Sequence, residues 1–94
     1  MSLFDDIKTI LRVSGDAFDP EVRLLIDACK RDMVRAGVPS GTVVEEGPLV
    51  RNAVACWCKA NFGYDNPEAE RFDRSYRQAL CDLLNSPSFT GGGR

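Results

Sequence analysis

The sequence predicts an all-α fold, a small bundle of about four helices in which the first is short. Three observations carry that reading. Apolar residues recur at helical spacing in four separate segments. Each segment ends at a glycine, a proline or a short polar break. The one β-branched run, Thr42-Val43-Val44, is too short for more than an extended piece.

The first helix spans roughly Leu3–Val13. Ser2 is placed to cap it, Asp5 completes a weak capping box, and Leu3, Ile7, Ile10 and Leu11 mark its apolar side. "SGD" at 14–16 breaks it. The second opens at Asp19-Pro20, a capping aspartate followed by proline at the first helical position. Its inner stripe is Val22, Leu25, Ile26, Cys29 and Met33, and Gly37 ends it, with Pro39 just beyond. Residues 38–47, "VPSGTVVEEG", read as a flexible loop. A third helix runs from near Pro48 to about Phe62 and stops at Gly63. A fourth starts after Asn66-Pro67 and reaches Leu84 or Asn85, before Pro87. Its inner face is Phe72, Tyr76, Leu80 and Leu83 or Leu84. On this reading residues 1–86 form a single helical domain and 87–94 a mobile Gly-rich tail.

Composition narrows the function. Ninety-four residues leave too little core for a separate catalytic module. Hydrophobic residues at 44% and charged residues at 28% are ordinary for a globular chain. A formal charge of −2 argues against a protein that works by gripping DNA phosphates. No run approaches the roughly 18 apolar residues that span a bilayer. "MSLFDDIKTILRV" has no basic n-region, so a signal peptide is not expected, and an intracellular protein with reduced thiols is. Histidine is absent, which removes the commonest general base and the commonest metal ligand together.

"NAVACWCKANFGYDNPEAERF", residues 52–72, raises the question of cysteine chemistry. Successive helical residues turn by about 100°, so Cys56 and Cys58 point about 200° apart and do not share a metal ion or a bond. The Cys-x-x-Cys spacing of redox and zinc motifs is missing. Cys29 and Cys81 fall on apolar stripes, where cysteine acts as a small hydrophobe. The thiols are therefore expected to be structural and unreactive, with Cys29 and Cys81 buried on their stripes. No metal and no cofactor is expected.

The acidic pairs Asp5-Asp6, Glu45-Glu46 and Asp16/Asp19 sit at helix starts and in loops, where they serve capping and solubility. "GDAFDPE" lacks the rhythm of a calcium loop, and "TGGGR" has no lysine or following helix to make a phosphate loop. Ser14, Ser75 and Ser86 have no histidine to activate them. No catalytic residue is assigned, and the protein is not expected to be an enzyme. Arg71, Arg74 and Arg77 recur every three residues beside Phe72 and Tyr76, with Arg51 and Lys59 adding charge on the preceding helix. This row is either a solvated face with partners such as Glu70, Asp73 and Asp82, or a patch that meets an acidic protein surface.

The order of motifs resembles a family. "TILRVSGDAFDPEVRLLIDACKRDMVRAGV" is similar to the start of the small head–tail connector proteins of tailed bacteriophages and prophages. "GPLVRNAVACWCKANFGYDNPEAERFDRSYRQALCDLL" is similar to their second block, with its Pro-Leu-Val-Arg opening and Asn-Phe-Gly-Tyr-Asp-Asn-Pro continuation. The resemblance covers about residues 3–85. Cys56 and Cys58 stand where many relatives carry a tyrosine or aliphatic residue.

The resemblance implies a helical structural protein at the virion head–tail junction, assembled in the host cytoplasm. It implies a homo-oligomeric ring under the portal protein that extends the DNA channel, lets DNA pass without sequence-specific binding, and docks tail-completion proteins. Candidate contact residues are Arg71, Arg74, Arg77, Glu45, Glu46, Phe62 and Tyr64. Two other classes compete, a monomeric helical adaptor and a small helical DNA-binding protein. The latter would use Arg51, Asn52, Lys59 and Asn61, but Trp57 and the alanines of that helix favour burial.

Overall fold

A computed structural model describes residues 2–63 and 66–85. They form five helices: α1 Leu3–Leu11, α2 Asp19–Ala36, α3 Ser40–Glu45, α4 Pro48–Asn61 and α5 Ala69–Asn85. There is no strand among the described residues. The expected tail, 87–94, lies outside them.

Local sequence explains most boundaries. The Ser2 hydroxyl accepts the Asp5 amide at 3.1 Å and caps α1. That helix stops at Leu11, two residues short of the expected end, because Arg12 turns left-handed at φ 61°. In α2 the cap position is Phe18, which makes no side-chain cap bond, and Asp19-Pro20 are already helical. The expectation of Asp19 as cap is thus corrected: its carboxylate turns to Lys8 instead, at 2.7 Å. Gly37, at φ 118°, closes α2 as expected, and the Val38 amide bonds back to the Met33 carbonyl. Asn66 starts α5 by accepting the Glu68 amide at 3.1 Å, while its own amide donates to the Lys59 carbonyl.

The segment 38–47 corrects the expectation of a loop. Ser40–Glu45 is a short helix, closed by Glu46 in the left-handed region at φ 54°. Its residues are poor helix formers, so the cause is tertiary. Val43 is 3% exposed and enters the core, and Glu46 pairs with Lys30 of α2.

The core runs through every helix: Leu3 and Ile7 from α1, Val22, Ile26, Cys29 and Met33 from α2, Val43 from α3, Val50, Ala53, Val54 and Cys58 from α4, and Tyr76, Ala79 and Leu83 from α5. Leu83, not Leu84, is the buried choice on α5, while Leu80 and Leu84 pack at the core's margin and Phe72 is half-buried. α4 is central, with α5 against it on one side and α1 and α2 on the other. α5 runs back along α4, so Phe72 lies under Lys59 and Tyr76 meets Trp57 edge-on at 5.0 Å. A 2.7 Å hydrogen bond from the Tyr76 hydroxyl to the Asp32 carboxylate ties α5 to α2.

Candidate functional site

The expected contact residues divide between two ends of the bundle. At one end, α1 and α4 finish and α5 begins. Phe62 leaves α4 in extended conformation and packs edge-on against Phe18 at 5.6 Å. Two cations sit over one ring, with Lys59 Nζ 5.0 Å and Arg71 Cζ 4.7 Å from the centre of Phe72. Arg12, Lys59, Phe62 and Phe72 line an open groove of about 460 Å³ there. Tyr64 lies outside the described residues.

The three arginines of α5 differ in their local partners. Each step of three residues turns by about 300°, which is about 60° backwards, so the three arginines spread over a sector of about 120° of α5. Arg71 pairs with Glu68 and Arg77 with Asp73 at 2.9 Å, while Arg74 is exposed without an ion pair among the described residues. Of the expected intrahelical partners, Asp73 serves Arg77, and Asp82 accepts instead from the Gln78 amide at 3.1 Å.

At the other end, Glu45 and Glu46 part company. Glu45 is exposed on α3. Glu46 belongs to a chain of charges within the subunit, Lys30–Glu46 followed by Arg51, which lies 4.0 Å from Glu46 and also pairs with Asp6. These side chains are about one-third exposed, so the chain fastens α1, α2, α3 and α4 together more than it advertises charge.

The thiols are free in the structure. Cys58 is in the core while Cys56 is half-buried, as their angular separation predicts. Burial pushes the Cys58 thiol up to about 12. Cys29 is raised too, by burial first and then by neighbouring Cys58, and Cys56 is raised by burial against the pull of Lys59. Raised thiols are poor nucleophiles. Cys81 corrects the expectation of burial: it is exposed, because it lies two residues from both Ala79 and Leu83 and so about 200° from the inner face. No group of three or more Cys, Asp or Glu side chains is poised to hold a metal among the described residues.

The sequence reading missed Arg12, Phe18 and the exposed apolar residues Leu24, Val34 and Val44. Leu24 carried a signal, since it sits two residues from both Val22 and Ile26, out of phase with the buried stripe.

The family profile described as phage connector protein matches residues 3–88. The chain belongs to the phage connector protein family. No curated protein and no solved structure matches it. The match spans all five helices of this connector, so the family's pattern coincides with the whole described bundle. The elements that set its shape carry the motifs read from the sequence. Asn61-Phe62-Gly63 ends α4, Gly63 sits at φ 83°, and Asn66 re-enters α5. The family is structural, and the connector's helices include none long and apolar enough to cross a membrane among the described residues.

Proposed function

We propose that this connector is a ring-forming subunit of the phage head–tail junction. It sits under the portal protein, continues the DNA channel and presents a docking face to tail-completion proteins, with no catalysis and no cofactor. The observation that carries this reading is the family match over residues 3–88. A subunit of 94 residues with a charged α5 and apolar residues exposed on α1 to α4 has the two unlike surfaces that head-to-tail ring contacts need. Its net charge of −2 suits a channel through which DNA slides without sticking. Arg71, Arg74 and Arg77 contribute to contact between subunits or with the portal, and Glu45 supplies an acidic counterpart.

The test is the double change Arg74→Glu plus Arg77→Glu. It should keep the helical circular dichroism signal and stop ring formation or head attachment, read by negative-stain microscopy and a head–tail joining assay. Normal rings and normal joining in the double variant reduce the row to a solvated face. Failure of the parent protein to form closed rings with portal-bearing heads sinks the reading as a whole.

A further inference from the structure

The outer face of α2 has no partner within the subunit among the described residues. Leu24 is 68% exposed and Val34 46% exposed. Between them stand Asp27 and Arg31, with side chains 59% and 81% exposed and paired with each other at 3.2 Å. Positions 24, 27, 31 and 34 follow the alternating three–four spacing that puts four side chains on one stripe of a helix. The stripe lies opposite the buried one of Val22, Ile26, Cys29 and Met33.

Its order is apolar, acid, base, apolar. Read backwards it is apolar, base, acid, apolar, which is complementary to itself. Two α2 helices laid antiparallel therefore bring Leu24 against Val34 and Asp27 against Arg31, and both pairings are centred on the level of residue 29. Ala28, beside that centre, is small enough for close approach. Lys30 also flanks it and is neutralised by Glu46. Open grooves flank the stripe. One, of about 640 Å³, is lined by Phe4, Pro20, Arg23 and Leu24. The other, of about 440 Å³, is lined by Val34, Val43 and Val44.

We propose that this stripe seats a second copy of the chain in a two-fold pair of antiparallel α2 helices. Every contact then occurs twice, and the two Asp27–Arg31 pairs merge into a cluster of alternating sign. A closed two-fold contact cannot propagate around a ring. The pair is thus a mode of self-association separate from the ring contacts, and it covers Leu24 and Val34 in subunits outside the ring.

Sedimentation equilibrium and native mass spectrometry of the full chain test this with two charge reversals, Asp27→Arg and Arg31→Asp. Each reversal leaves one sign of charge at the centre and should weaken the two-chain species by about tenfold or more. An equimolar mixture of the two variants should restore it, because one supplies only positive and the other only negative charge. Both changes in one chain should also restore it, since the inverted order is again self-complementary. Recovery in the mixture shows that each variant is folded. A parent chain that stays monomeric, single reversals without effect, or a mixture that does not recover would each overturn the proposal. Rings with no two-chain species also overturn it while leaving the proposed function intact; a two-chain species without rings supports it and counts against that function.

Discussion

The tie between α5 and α2 can be broken by one oxygen. Tyr76 is 3% exposed, packs edge-on against Trp57, and donates its hydroxyl to Asp32 at 2.7 Å. Tyr76→Phe keeps the ring and removes only the donor. A hydrogen bond to a charged group is worth about 1.5–3 kcal/mol. The lower end applies here, because Asp32 keeps its pair with Arg35 and its side chain is 19% exposed, so water can reach it. The expected loss is about 1.5 kcal/mol, or a fall in Tm of roughly 6–12 °C for a domain of this size.

Urea denaturation of the parent, Tyr76→Phe, Asp32→Asn and the double variant forms a cycle that isolates the pair. A coupling of about 1 kcal/mol or more is expected. Loss of less than about 0.3 kcal/mol in Tyr76→Phe, or additive single changes, would refute the argument that this bond fastens the two helices. The same variant should assemble less well than its stability alone explains, since α5 carries the arginine row whose position the bond sets.

The remaining expectations concern the thiols and α3. Cys58→Ala should cost about 1 kcal/mol or somewhat more in urea melts, Cys81→Ala close to nothing, and neither should change assembly. Alkali should destabilise the fold. The Cys58 thiol, raised from 9.0 to about 12, keeps its proton in the folded state after the unfolded chain has lost it, so its contribution is complete below pH 9 and disappears as pH rises toward 12. Stability should fall there by up to about 1.4 kcal/mol per pH unit for each such group, and Cys58→Ala should flatten the fall. Val43→Gly should strip α3 of its core anchor and cost about 3 kcal/mol, with hydrogen exchange in 40–45 rising first; unchanged protection there would show that α3 does not depend on Val43.

The long helices were legible because periodicity and punctuation agree. The α2 stripe and Gly37 as its stop follow from spacing alone, as do Tyr76 and Leu83 on α5, whereas the buried Ala79 was not read as inner and Phe72 and Leu80 are only half-buried. The segment 40–45 was not legible, because "SGTVVE" has no helical preference and its helix exists only where Val43 finds the core. Cys81 was misplaced by reading apolar character without angle, whereas the inner face of α5 passes through Ala79 and Leu83 and leaves position 81 outside. The contact residues were least legible. Sequence names charges but does not tell which of them are already taken, and here the partners come from four different helices.

That internal use of charge decides where the proposed ring contacts can be tested cleanly. Arg51 and Glu46 are held by Asp6 and Lys30, so changing either loosens the bundle before it touches an interface. Arg77→Glu places a carboxylate four residues from Asp73, its present partner, and adds an intrahelical repulsion of about 0.2–0.5 kcal/mol. Arg74 and Glu45 are exposed and neither has an ion pair among the described residues, so Arg74→Ala and Glu45→Ala remove no partner, whereas Arg74→Glu faces Glu70 four residues back and carries a repulsion like that of Arg77→Glu. A surface charge that costs the subunit nothing to remove can only report on what lies outside it. Loss of rings in Arg74→Ala at unchanged stability therefore indicates a contact made by the neighbour, whereas loss in Arg74→Glu or Arg77→Glu has to be corrected for α5 first.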